Sequence, residues 1–234
     1  MPELIHTPPH NKIVVIIPAY NEGAVLLSVI KDMHPTGFTI IVVDDGSDIT
    51  LDQMLKTYPV FYVRHRANLG QGAALQTGFD FAKKLNPDII ITMDADGQHH
   101  SSSVSSMIEP LLTNEVDIVL GSRFLSSGET SVPIMKKLVL HTARIINYIF
   151  SGLLLSDAHN GLRAFNAIAL KKITITENRM AHASEILFEI KKHKLRFKEV
   201  PVTISYTAYS KRKGQSIWDS FRILFDLILH KLFK

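Results

Sequence analysis

Two carboxylates one residue apart, Asp94 and Asp96, close the apolar run Asp88–Met93, and Gln98 follows at the same alternation. Where a strand exits a sheet, alternate side chains point the same way, so Asp94 and Asp96 can share one divalent cation. Hard oxygen donors suit Mg²⁺ or Mn²⁺, which bridge phosphate oxygens. A lone Asp-x-Asp is often only a solvated turn, but here it has company. Pro18-Ala19-Tyr20-Asn21-Glu22 follows the first apolar run, Asp44-Asp45-Gly46-Ser47 the second, and Gly121-Ser122-Arg123 the fifth. One of Asp44 and Asp45 is suited to accept hydrogen bonds from a nucleobase or ribose, the other reading being a turn and helix cap. Asn68-Leu69-Gly70-Gln71-Gly72 opens a helix with small residues, which allows close backbone approach and anion contact at the helix start. His99 and His100 belong to the loop surface or to a layer behind the metal ligands.

Polar residues at successive strand exits act together only if one sheet gathers them. The runs Lys12–Ile17, Phe38–Val43, Val60–Arg64, Asp88–Met93 and Val116–Gly121 are apolar and β-branched. Helical segments lie between them at Glu22–Met33, Leu51–Thr57, Gln71–Leu85 and Ser102–Thr113. Such alternation predicts an α/β fold, an open, mostly parallel sheet covered on both faces, with ligands beyond the strands' C-terminal ends. No G-x-G-x-x-G follows the first strand and no G-x-x-x-x-G-K occurs, which disfavours NAD and a phosphate loop. Beyond Ser126–Pro133 the pattern predicts a long amphipathic helix at Ile134–Leu155, a strand at Leu162–Asn166, a helix at Ala181–His193 and extended chain around Phe197–Tyr206.

The 234 residues suffice for one domain with a sizeable core. With no cysteine, disulfides, thiolate zinc sites and iron–sulfur clusters are excluded, and a reducing compartment is expected. The net charge of +4 is unevenly spread: residues 1–130 hold 8 Lys+Arg against 15 Asp+Glu, and the remainder 18 against 7. The front suits cations and the back suits anions. No aromatic-basic module accompanies the basic half, so nucleic acid is not expected. The N-terminus lacks an apolar signal segment, and Ile145–Ser156 is too short to span a bilayer. Ile217, Phe221, Leu224, Phe225, Ile228 and Leu232 form one stripe of a terminal helix, suited to packing on the domain, to a dimer interface or to an anionic membrane surface.

In order and spacing, IIPAYNE, VVDDGS, NLGQGAALQTG, DADGQH and GSRF resemble glycosyltransferase family 2, and within it the dolichyl and polyprenyl-phosphate hexose synthases. The likeness covers about Lys12 to Ser216. It implies a GT-A fold, with residues 1–11 an extension, 12–214 the catalytic domain and 215–234 an amphipathic helix. It implies transfer of a hexose, with inversion, from a nucleotide-diphospho-sugar (UDP favoured over GDP) to a polyprenyl phosphate, with Mg²⁺ or Mn²⁺. Pro18, Tyr20, Glu22 and Asp44 would hold the nucleoside, with Asp45, Gly70, Asp94 and Ala95 in the same nucleotide site. Asp94, Asp96 and Gln98 would hold the metal, and Arg123 and Lys136, beside Lys137, the acceptor phosphate. Asp96, Arg123, Lys211 and Arg212 would be catalytic, although Lys211 stands where the family pattern has Arg. Asp157–Phe165 resembles a D-x-x-x-G-F-R-x-F segment beneath the acceptor site, with Leu162 for the aromatic. The setting implied is the cytoplasmic face of the cell membrane in cell-envelope polysaccharide synthesis, with a small membrane-protein partner or a second copy as a further anchor. The alternatives are transfer to a glycan hydroxyl, for which Glu185 or His182 would be the base, and a non-catalytic nucleotide-sugar-binding protein.

Overall fold

The computed structural model describes residues 12–125, 148, 152–158 and 160–205. The predicted runs become strands β1 (Ile13–Ala19), β2 (Thr39–Asp44), β3 (Val60–Arg64), β4 (Ile89–Thr92) and β5 (Ile118–Ser122). Later come β6 (Arg163–Asn166) and β7 (Phe197–Pro201). They form one seven-stranded sheet in the order β3-β2-β1-β4-β6-β5-β7. Helices α1 (Gly23–Met33), α2 (Asp52–Leu55), α3 (Gln71–Leu85), α4 (Ser102–Leu112), α5 (Ala167–Lys172) and α6 (His182–Lys192) cover it.

Both faces of β1 are buried because both are covered. Ile13, Val15 and Ile17 pack with Leu26 and Ile30 of α1 and Met107 of α4. Val14 and Ile16 pack with Leu75 and Phe79 of α3, and with Phe165 and Ile186. Continuous apolar runs, not alternating ones, are what a sheet sandwiched between two helix layers requires. Phe79 and Phe165 meet edge to face at 5.4 Å between ring centroids, joining α3 to β6 at the centre of the second layer.

β6 is the exception to the parallel rule. It lies between β4 and β5 and is antiparallel to both, with Arg163 opposite Thr92 and Leu120. The reason is where the chain comes from. β5 delivers it to the ligand-binding end of the sheet, and Asp157–Gly161 holds it there before β6 descends. The predicted helix through Leu155 is corrected here: Gly152 takes a left-handed φ of 70°, its N–H donates to the Tyr148 carbonyl, and Leu153–Leu155 are not helical. The rest of that helix, with Lys136 and Lys137, and the terminal stripe from Ile217 lie outside the described residues.

Candidate active site

The strand exits do converge. At β4, Asp94 accepts a hydrogen bond on Oδ1 from Gln71 Nε2 at 2.7 Å, and Asp96 accepts on Oδ1 from the Gln98 N–H at 3.0 Å. The other oxygen of each accepts none among the described residues. Burial pushes the Asp94 carboxyl up, against the opposing pull of Arg163 and the Gln71 bond. Burial, then the Asp94 charge, raises Asp96 to about 6. Glu22, buried at the start of α1, adds negative charge to both.

Two half-buried, mutually repelling carboxylates with open oxygens fit a divalent cation. Among the described residues no three His, Asp or Glu side chains gather into a cage. Asp94 and Asp96 would supply two oxygen ligands to such a cation. Gln98 is fixed beside them through its backbone, whose carbonyl accepts from the Ser205 N–H at 2.9 Å. His99 is buried, its Nδ1 has no hydrogen-bond partner among the described residues, and burial lowers its pKa to about 4. His100 is exposed and bonds Ser205 at 2.7 Å. His99 is thus an interior residue whose environment includes the Asp96 charge, and His100 lies on the loop surface.

The β2 exit is built differently. Asp44 is fully buried; its Oδ1 accepts from the Ser47 N–H at 2.8 Å, and its Oδ2 from Tyr62 at 2.6 Å, with Arg64 Nε at 3.2 Å. Asp45 Oδ1 accepts from the Leu69 N–H and meets His65 Nδ1 at 2.8 Å, while Oδ2 accepts from the Gly70 N–H at 2.7 Å. His65 Nε2 continues to Thr77 of α3 at 2.9 Å. Asp45 therefore fixes the start of α3. Gly70 corrects an expectation: its N–H is taken by Asp45, and at φ 112° a Cβ would lie 2.3 Å from the Asn178 carbonyl oxygen. The Ala73 N–H donates to that same carbonyl. The close approach that the small residues permit is made to the chain's own loop, which caps α3 where an anion was expected. Ala95 is buried in the core, which leaves only its backbone for a nucleotide. Pro18 lies on β1 beside the Asp94 cavity, and Tyr20, just past the end of β1, is exposed.

At β5, Arg123 grips Asp157 with Nε at 2.6 Å, Nη2 at 2.7 Å and its own backbone N–H at 3.1 Å. Burial would raise the Asp157 carboxyl, but these bonds win and hold it below the usual carboxylate range. Arg163 is buried beneath, anchored to the Ala158 and Asn160 carbonyls at 3.1 Å each. Burial lowers its pKa to about 10, and Asp94 and Asp157 pull the other way. It stays a cation and offsets the acidic cluster from below. Gly161 lies so close to Asp94 that a Cβ would meet Oδ2 at 2.2 Å.

The cavity at Asp94 is rimmed by Gln71, Asn160, Arg163 and His182, with an apolar wall of Leu75, Met180, Ala183 and Ile186. Glu185, a base candidate, is engaged: its carboxylate accepts from the backbone N–H groups of Thr176 and Glu177, and from the Thr176 hydroxyl. His182 Nδ1 bonds the Arg179 carbonyl at 2.7 Å. Lys211 and Arg212 lie outside the described residues. Sequence reasoning missed Tyr62 and Arg64 on Asp44, and Gln71 on Asp94. Only for Gln71 was there a signal, the polar residue in an otherwise small-residue helix start.

Residues 14–174 match the family described as glycosyl transferase family 2. An uncharacterized protein of Methanocaldococcus jannaschii is 38% identical over 95% of this chain and 93% of its own length. The UDP-N-acetylglucosamine–dolichyl-phosphate N-acetylglucosaminyltransferase of Methanococcus voltae is 32% identical over 95% of this chain and 97% of its own. Among solved structures, S. aureus TarS in complex with UDP-GlcNAc superposes with a TM-score of 0.56 at 15% identity, over 93% of this chain and 66% of that one. That likeness establishes the shared nucleotide-sugar transferase fold.

Proposed function

This chain belongs to glycosyl transferase family 2 and is a glycosyltransferase, and from that premise we propose that it transfers a hexose from a UDP-sugar to a polyprenyl phosphate. The observation that carries the proposal is the division of the site. Carboxylates that each keep one oxygen without a donor among the described residues stand at the β4 exit, an anchored arginine stands at the β5 exit, and one of the two candidate bases, Glu185, is already engaged.

Asp94, Asp96 and Gln98 would hold Mg²⁺ or Mn²⁺, which supplies positive charge to the departing diphosphate. Gln71 fixes the Asp94 rotamer through Oδ1 and leaves Oδ2 for the cation. Asp44 and Asp45, saturated by their own neighbours, set the floor under the nucleoside, and Tyr20 and Glu22 flank it. The acceptor attacks the anomeric carbon from the face opposite the diphosphate, and the configuration inverts. A polyprenyl phosphate oxygen is already anionic at neutral pH, so the chain need only orient it. Arg123 does so. A hydroxyl acceptor would need a proton acceptor; Glu185 is held by three donors of the Thr176–Glu177 loop, which leaves His182 on the cavity wall as the base that such an acceptor would require. Undecaprenyl-phosphate mannosyltransferase of Micrococcus luteus, 29% identical over 82% of this chain, uses an acceptor of this chemical class by its name.

No described helix is long and apolar enough to cross a membrane. In this reading the protein meets its lipid acceptor from the cytoplasmic side, through the apolar stripe of residues 217–234. The test is transfer of radiolabelled sugar from UDP-hexoses and UDP-N-acetylhexosamines to undecaprenyl phosphate, with and without Mn²⁺. Lipid-phase product that disappears in Asp96→Ala supports the proposal; no lipid product from any of these donors overturns it.

A further inference from the structure

We propose that Glu199 and Asp157 form a tether that holds the Arg123 guanidinium away from the Asp94–Asp96 pair, so that an arginine and a divalent cation can occupy one acidic site. The inference rests on the reading of that pair as the cation site.

Arg123 lies close enough for its charge to act on Asp94 and on His99. In so acidic a cleft a free arginine side chain would fold onto the nearest open carboxylate, and Asp94 and Asp96 each offer an oxygen that takes no donor among the described residues. A guanidinium forks two oxygens at once and would compete directly with a cation for them. The structure supplies a third carboxylate to prevent this. Asp157 takes Arg123 through Nε and Nη2 at 2.6 and 2.7 Å, the bidentate geometry that fixes the plane of the fork.

Asp157 could not do this from a loose turn, and Glu199 on β7 makes the turn rigid. Its carboxylate accepts from the Ser156 N–H at 2.9 Å on both oxygens, from the Ser156 hydroxyl at 2.7 Å and from the Asp157 N–H at 3.1 Å. Ser156 Oγ also meets Ser122 Oγ at 2.5 Å, which ties the turn to the residue before Arg123. Every group that faces Glu199 from the turn is a donor, so an amide at this position would set an NH₂ against N–H groups. Glu199 is 76 residues from Arg123 in sequence and acts through Asp157 as a positioning residue.

Mn²⁺ binding to the full chain, followed by electron paramagnetic resonance without donor or acceptor, tests the tether. Asp157→Asn is expected to weaken Mn²⁺ binding on the order of tenfold, because Arg123 moves onto the open carboxylates. Glu199→Gln is expected to weaken it roughly threefold. Arg123→Gln should raise Mn²⁺ affinity more in the Asp157→Asn background, where it recovers the wild-type value, than in the wild type, a coupling that the mere loss of a positive charge does not produce. Unchanged Mn²⁺ affinity in a folded Asp157→Asn, or no recovery in the double variant, overturns the proposal. If Asp157→Asn does not fold, Glu199→Gln alone and combined with Arg123→Gln decides by the same criterion. Since no acceptor is present, the result stands apart from whether the wild type makes a lipid product.

Discussion

The chain carries two acidic pairs at strand exits, and the fold treats them in opposite ways. Asp44 and Asp45 at β2 have every carboxylate oxygen engaged by the chain's own donors, from Ser47, Tyr62, Arg64, His65, Leu69 and Gly70. Asp94 and Asp96 at β4 each keep an oxygen without a donor among the described residues, and both carboxyls are pushed up. Equal residue types on the same edge of one sheet thus divide into architecture and chemistry. What separates them is satisfaction: a carboxylate whose hydrogen bonds are complete stabilises the fold, and one left incomplete and buried costs stability and is available to a ligand.

The sharpest way to break that comparison is to delete one member of each pair. Asp96→Ala should lower the transfer rate by roughly a thousandfold or more while the protein stays folded. Without metal it should be more stable than the wild type at pH 7, by about 1–3 kcal/mol, in urea unfolding. The sign follows from the raised folded-state pKa: ionising Asp96 disfavours the native state, so its cost appears as pH rises through the unfolded value toward about 6. Asp45→Ala should do the reverse and destabilise by about 2–4 kcal/mol, measured the same way. A stable Asp45→Ala protein, or an unstable Asp96→Ala protein, would end the distinction.

Acid sharpens it further. Below pH 6 Asp96 takes up a proton, so Mn²⁺ affinity should fall by roughly fivefold between pH 6 and pH 5, read by calorimetry in two buffers that report the protons released. The smallest effect is expected at the satisfied pair. Tyr62→Phe removes one donor to Asp44 and should cost about 1 kcal/mol of stability, with transfer activity nearly unchanged.

The framework of the fold was legible because it rests on local pattern. Apolar runs bounded by Gly, Asn and Asp gave β1 to β5, and the spacing of Asp94, Asp96 and Gln98 pointed to hard-cation chemistry. Saturation was not legible, because it depends on partners far along the chain. Tyr62 reaches Asp44 across 18 residues, and Glu199 reaches Ser156 across 43. The same limit hid the capping of α3 by Asn178, since Gly70 and Gly72 record only that something comes close. The run Arg163–Asn166 read as a strand, but its antiparallel insertion between β4 and β5 follows from where the preceding loop ends.

That insertion also bears on how such a protein can diversify. Because β5 rises to the ligand-binding end and β6 starts from it, the chain between Ser122 and Arg163 departs and returns on one side of the sheet. It is a cassette with both ends clamped at the rim, by Arg123 on Asp157 and by Arg163 on the Ala158 and Asn160 carbonyls. Leu155 and Ala158, just inside the second clamp, are buried in the second core layer, so that end of the segment is fixed by packing as well as by hydrogen bonds. A change of acceptor recognition on this segment leaves the strand exits of the donor half, at β1, β2 and β4, unaltered.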